Sequence, residues 1–148
     1  MSELYHNRIL ELAANIPNLG ELEAPGGSVT KVSRICGSTV KVDVVLDEAG
    51  THIQAIAVDP KACALGQAAT SVLAEHAMGA SIEEIVAARD AMTAMLKEEG
   101  EPPEGRFWEL RYLQPVADYP PRHTSTLLAF EAAVAAIEEA LVKRKAAQ

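Results

Sequence analysis

Between Ser28 and Val58 the apolar residues keep a period of two, while the stretches on either side keep a helical period. No other feature narrows the fold as far, because a period-two pattern buries one face of a strand and cannot settle as a helix. Val40, Val42, Val44 and Leu46 alternate with Thr39, Lys41 and Asp43, the pattern of a half-buried strand. Asp47-Glu48-Ala49-Gly50 is a turn signal, and Thr51 to Val58 follows as a strand with Ile53, Ala55 and Ala57 expected on one face. Val29 to Ile35 precedes the tight turn Cys36-Gly37-Ser38 as a further strand. Three strands with short connections predict an antiparallel meander with one face in need of cover.

Helices supply that cover. Leu4, Tyr5, Ile9, Leu12 and Ala13 predict an amphipathic helix over residues 3–14, stopped by Asn15-Ile16-Pro17-Asn18-Leu19-Gly20. Residues 21–27 read as a linker. Leu65, Ala69, Val72, Leu73 and His76 share a face over residues 62–77, with Gly79 as the stop. Ser81-Ile82-Glu83-Glu84 is a capping box opening the next helix. Residues 98–105 form an exposed break, Phe107 to Leu113 a short helix holding Trp108, and Thr124 to Lys143 a long final helix. The expected fold class is α+β, a three-stranded antiparallel meander with helices packed on one face. A chain of 148 residues is enough for one domain with a real core, so residues 1–148 read as a single unit.

Composition excludes more than it selects. Aromatics are only 4%, so Ala, Val, Ile and Leu must fill the core. A formal net charge of −8 argues against nucleic acid as the main partner, since phosphate binding needs a basic face. No apolar run approaches the roughly 20 residues of a membrane span, and the N-terminus lacks the order of a secretion signal. The expected location is the cytoplasm, where two cysteines are free thiols, metal ligands or catalytic groups rather than a disulfide.

Several chemical templates fail. Pro25-Gly26-Gly27-Ser28 is too short for a phosphate loop and lacks its Lys, there is no His-Glu-x-x-His, and no nucleophile elbow surrounds any Ser. Glu83-Glu84 and Glu138-Glu139 are adjacent on helices and point apart. The cysteines remain. Cys63 stands where a strand run ends and a helix begins, and a thiol there faces unpaired N–H groups and the positive dipole end, which favour thiolate. Cys36 lies in a strand-to-strand turn, and a meander of this length brings both to one end of the sheet. A soft metal or a cluster needs three or four ligands, and His123 and Ser125 at the start of the last helix are candidates to complete the set. His76 reads as a packed core residue, and His6 and His52 as exposed residues without a role.

Taken together these motifs form a recognisable series. Tyr5-x-x-x-Ile9 with the Asn15 to Gly20 turn, Ile35-Cys36-Gly37-Ser38, Ala62-Cys63-Ala64-Leu65-Gly66-Gln67-Ala68, Gly79-Ala80-Ser81-Ile82-Glu83-Glu84 and Tyr119-Pro120-Pro121-Arg122-His123-Thr124-Ser125-Thr126-Leu127-Leu128-Ala129-Phe130 occur in that order. The chain resembles the IscU/SufU/NifU N-terminal family of iron–sulfur cluster assembly scaffolds over nearly its whole length. Residues 99–116 correspond to the extra segment that marks the SufU-like branch.

The resemblance implies a scaffold or carrier rather than a catalyst, with an iron–sulfur cluster or a zinc or iron ion as what it holds. It implies a cysteine desulfurase and apo-protein clients as partners, and the alternatives to a cargo-binding scaffold are a sulfur acceptor for the desulfurase or a metal-free paralogue that acts as a protein-binding module. Family members use three cysteines and an aspartate as ligands. Here Ser38 stands at the aspartate position, Ser125 at the third cysteine and Thr124 before it, so Cys36 and Cys63 are the strong ligands left. The Leu-Pro-Pro-Val-Lys segment by which IscU-type scaffolds meet their chaperone is absent in that form.

Overall fold

The computed structural model describes residues 5–148; residues 3 and 4 of the expected first helix lie outside them. The elements run α1 (Asn7–Ala14), β1 (Gly27–Val32), β2 (Thr39–Leu46), β3 (Ile53–Lys61), α2 (Ala64–His76), α3 (Ile82–Lys97), a 3-10 segment (Gly105–Asp118), a 3-10 turn (Pro120–Arg122) and α4 (His123–Ala147). The strands pair in sequence order, β1 with β2 and β2 with β3, all antiparallel. The meander expected from the period-two stretch is what forms.

One strand face differs from expectation. Val45 pairs with Ala55 and Leu46 with Ile53, leaving Gln54 as an extra, unpaired residue. Such a bulge turns the alternation over. Beyond it Ile56 lies opposite Val44 and Val58 opposite Val42, so these two join Val40, Val42 and Val44 on the inner face in place of Ala55 and Ala57. The outer face is not bare, because Asp43 is buried there and accepts hydrogen bonds from Ser28 Oγ and the Leu22 N–H. The stretch read as a linker is thereby tied across the sheet.

The free edge of β3 is paired as well. Val58 N–H donates to Asn18 O at 2.9 Å and Gly20 N–H to Val58 O at 2.9 Å, making a short parallel bridge. Asn18 adopts φ 59°, a left-handed conformation that Asn tolerates, and its side chain donates to Ala74 O of α2 at 3.1 Å. The Pro17-Asn18-Leu19 turn is therefore a clasp between α1, the sheet edge and α2.

The inner face is covered by α4, which packs on β1 and β2 and in turn against α2 and α3. Ala129, Ala132, Ala133, Ala136 and Ala140 are buried among its larger apolar residues. Small side chains let backbones approach, and the closest approach is at Gly27, where a Cβ would stand 1.9 Å from Ala136 O. Phe107 and Phe130 meet edge to face at 5.4 Å and join the 3-10 segment to this core.

Glu109, on the same segment, is buried between Arg8 of α1 and His76 of α2, with His76 Nε2 at 2.8 Å from its Oε1. His76 is thus a half-buried partner of a carboxylate and not a core residue, because its ring tip reaches out of the helix face to Glu109. His6 also departs from expectation: its Nε2 meets Tyr112 O at 3.2 Å and its ring packs edge-on to Tyr112. His52 is exposed as expected. Burial works against the Glu109 charge, but the hydrogen bonds from His76 and Arg8 outweigh it and hold the carboxyl below the ordinary Glu range. A carboxyl pKa lowered by folding stabilises the fold above its unfolded value and ceases to do so as pH falls through the folded one.

Two outcomes follow for urea unfolding. Gly27→Val, which drives side-chain atoms into the α4 backbone, costs about 3 kcal/mol, whereas Gly37→Ala, which has open space around its Cβ, costs about 1 kcal/mol through its positive φ alone. Glu109→Gln costs about 2 kcal/mol at pH 7, and that difference shrinks as pH falls below 4.5, the ordinary value for a Glu carboxyl.

Candidate functional site

Three segments meet at one end of the sheet. The turn from Ser33 to Ser38 joins β1 to β2 and is closed by Ser33 N–H to Ser38 O and Gly37 N–H to Ser33 O, both 2.8 Å. Gly37 sits at φ 73°, which lets the chain reverse and leaves Cys36 exposed at the tip. Cys63 is the N-cap of α2, half-buried after the end of β3. Ser125, fully buried, lies in the first turn of α4.

Ser125 sits between the two thiols. Its Oγ is 4.0 Å from Cys63 Sγ and donates to Arg122 O at 3.2 Å, and Ser125 is near enough to Cys36 to help lower that thiol's pKa. The approach of α2 to α4 that permits this occurs at Gly66, where a Cβ would lie 3.1 Å from Ser125 O and 2.9 Å from Ala62 Cβ. Gly66 is therefore a site residue in effect, although it carries no donor atom. Ser125 is thus in contact with Cys63 and near the Cys36 turn.

The two thiols have different surroundings. Cys36 Sγ lies 3.4 Å from Ser33 Oγ and 3.1 Å from Ser38 Oγ. As a thiol it donates to Ser33, and as a thiolate it accepts from both hydroxyls. Hydrogen bonds from Ser33 and then Ser38 lower its pKa to about 7, with smaller help from the Ser38 backbone and from Ser125, against a burial cost. Cys63 departs from the expectation of a thiol facing the helix's free N–H groups. Its side chain makes no capping bond, and its sulfur lies 4.0 Å from Ser125 Oγ.

His123 is held by its ring at the start of α4. Its buried ring sends Nε2 to Val116 O at 3.0 Å and Ala117 O at 3.1 Å, in the 3-10 segment. These bonds put a proton on Nε2 and leave Nδ1 as the ring nitrogen with a lone pair, as in many metal-bound histidines. Among the described residues no group of three or more His, Cys, Asp or Glu is placed to hold a metal ion. What the site offers is two thiols and the hydroxyls of Ser33, Ser38 and Ser125. Ser33 was not singled out from the sequence, although its place three residues before Cys36, in a turn closed by a glycine, was a usable signal.

The architecture is shared with known proteins. The profile of the family described as NifU-like N terminal domain matches residues 4–146. The iron–sulfur cluster assembly scaffold protein IscU of Streptococcus pyogenes serotype M1 is 29% identical over 103 residues, which make up 70% of this chain and 64% of that protein. The match thus spans less than two thirds of that relative's length. The crystal structure of a nitrogen-fixing NifU-like protein (N-terminal) from Brucella abortus has a TM-score of 0.92 at 46% identity, covering 96% of this chain and 97% of that one. The crystal structure of a putative iron–sulfur cluster assembly scaffold protein for the SUF system from Fervidobacterium islandicum AW-1 has a TM-score of 0.83 at 21% identity, over 92% and 98%, a likeness of fold.

The hydroxyl cage around Cys36 is open to direct measurement. In a Cys63→Ser background, the alkylation rate of Cys36 by iodoacetamide rises with pH around a midpoint of about 7. Replacing Ser33 and Ser38 together by Ala moves that midpoint up by roughly one unit or more, toward an ordinary cysteine. An unmoved midpoint would show that the serines do not stabilise the thiolate.

Proposed function

From membership of the NifU-like N terminal domain family, to which this chain belongs, we propose that the protein is an iron–sulfur cluster assembly scaffold, residues 1–148 forming one scaffold domain that holds iron, zinc or a cluster as cargo through Cys36 and Cys63. The observation that carries this reading is the meeting of two free thiols from separate elements on either side of Ser125. Thiolates suit soft and borderline metals such as zinc and the iron of clusters. The Cys36 turn is exposed, so cargo reaches it without rearrangement of the core.

Two thiols are half of the usual ligand number. The Ser125 and Ser38 hydroxyls stand nearest as further oxygen donors, but a neutral hydroxyl is harder than a thiolate and gives up its proton only at very high pH. The remaining positions are filled from outside, by a partner's side chain or small thiols in solution. Cargo held this way is weakly bound and readily handed on to an apo-protein client. His123 would join through Nδ1, with its Nε2–H still held by the Val116 and Ala117 carbonyls. A cytoplasmic location fits a carrier of this kind, and no helix among the described residues is long and apolar enough to cross a membrane.

A second reading is favoured by one observation, the exposure of Cys36 together with its pKa of about 7. In this reading Cys36 accepts sulfur from a cysteine desulfurase. Its thiolate attacks the outer sulfur of the enzyme's cysteine persulfide, a new S–S bond forms on Cys36, the enzyme's S–S bond breaks, and the desulfurase thiolate leaves. Redox balance is kept because the sulfane sulfur passes from one thiolate to another.

Metal and sulfide analysis separates the readings. Iron, zinc and acid-labile sulfide are measured per chain on protein purified anaerobically and supplied with iron and sulfide. Cargo is expected on the wild type, absent from Cys36→Ala and Cys63→Ala, and retained at least about tenfold better by Ser125→Cys, which adds a third thiolate. A wild type without cargo under these conditions rules out the scaffold reading. The acceptor reading stands if desulfurase treatment then adds the mass of one sulfur atom to wild type and not to Cys36→Ala.

A further inference from the structure

The residues around the two thiols have a charge balance opposite to that of the chain. Residues 28–41, 60–74 and 119–130, the three segments that meet at the site, contain none of the 21 Asp and Glu residues. They contain five of the 13 Lys and Arg residues: Lys31, Arg34, Lys41, Lys61 and Arg122. Lys41 is bound to Glu21 at 2.6 Å. Among the described residues no salt bridge engages Lys31, Arg34, Lys61 or Arg122, although five of the 13 Lys and Arg residues, Lys41 among them, are so engaged.

The sheet register brings these cations to one rim. Val32, at the end of β1, lies opposite Thr39, and Thr39 lies opposite Lys61 at the end of β3. Arg34 is in the turn that follows Val32, and Arg122 immediately precedes α4 with its carbonyl beneath Ser125. Lys31, Arg34 and Lys61 are exposed. Apolar surface lies among them: Ile35 is 72% exposed and Val32 54%. Behind Lys61 a shallow groove of about 290 Å³ is lined by Ile16, Leu19, Pro60 and Gln67, with Leu19 62% exposed.

We infer that this rim is a docking surface for an acidic segment of a partner protein, one that alternates carboxylates with aliphatic side chains. Unpaired cations beside exposed branched residues offer such a segment both charge complementarity and apolar cover. Glu21 and Asp59 border the rim beside Lys41 and offset that cation, while acids more than about 8 Å away are largely screened at physiological salt. Aliphatic side chains among the cations distinguish the surface from a phosphate-binding face, where apolar contacts would go unused. The inference concerns the protein without cargo and does not depend on what the thiols hold.

The test uses a fluorescein-labelled peptide of repeating Glu-Leu-Glu-Ser, followed by fluorescence anisotropy against the metal-free wild-type chain. Binding is expected to weaken about tenfold when salt rises from about 50 to about 300 mM. Arg34→Glu with Lys61→Glu weakens it at least tenfold, Ile35→Ser severalfold, and the charge reversal Lys143→Glu at the far end of α4 less than twofold. Circular dichroism of each variant confirms that it is folded. The inference fails if the peptide shows no binding at millimolar protein, or if the Lys143 variant loses as much as the rim variant. It fails equally if single-stranded DNA of matched charge binds more tightly than the peptide. Should gel filtration show a dimer that the rim variant dissolves, the occupant is a second copy and the inference is overturned.

Discussion

The structure depends on how closely α4 approaches its neighbours. That helix is buried along most of its length between the sheet on one side and α2 and α3 on the other. Toward its C-terminal half the Ala136 carbonyl rests against Gly27 of β1, and in its first turn the Ser125 carbonyl rests against Gly66 of α2. Neither contact leaves room for a Cβ. A helix braced at both ends cannot slide, so the position of Ser125 between the two thiols is fixed by packing far from the sulfurs. Close packing of this kind transmits displacement rather than absorbing it, which is why residues without donor atoms belong to the account of the site.

The hydroxyls set the chemistry that this rigid corner permits. In the family motif that the Cys36 turn resembles, an aspartate occupies the position of Ser38. A carboxylate so near a sulfur repels a thiolate unless a cation lies between them, whereas a serine hydroxyl donates to it directly. The chain therefore favours the free thiolate of Cys36 without any ion present, and Ser33 adds a second donor on the other side. What is lost in ligand number is partly offset by a nucleophile ready at neutral pH. Both proposed roles draw on that same feature, one through coordination and the other through attack on sulfur.

Most of the fold was legible because its signals were local and redundant. The alternation in β2, the turn at Asp47 to Gly50 and the capping box at Ser81 each follow from neighbouring residues, and each formed as read. The errors came where a distant group decided the outcome. Gln54 bulges against β2, so the inner face of β3 passed from Ala55 and Ala57 to Ile56 and Val58, a switch no single strand's pattern reveals. His76 satisfied the helical apolar face, yet Glu109, 33 positions later, draws its ring outward. Likewise the path of the 3-10 segment, which spacing does not give, decides which nitrogen of His123 is tied to carbonyl oxygens. The convergence of Cys36, Cys63 and Ser125 was legible because strand count and direction place strand ends without knowledge of side-chain detail.

The rim and the thiol pair are mechanically one object. Arg122 contributes its carbonyl to the hydroxyls of Ser125 and Thr126, and its side chain belongs to the acid-free surface. The Ser33 to Ser38 turn does the same, with Ser33 and Ser38 buried against Cys36 while Arg34 and Ile35 face outward. Anything that grips the outer side of these two segments must therefore press on the inner side, where the sulfur donors and their hydroxyl partners stand. Because bonds to sulfur weaken steeply with angle and distance, a shift too small to disturb the core is enough to change how strongly Cys36 is held as thiolate.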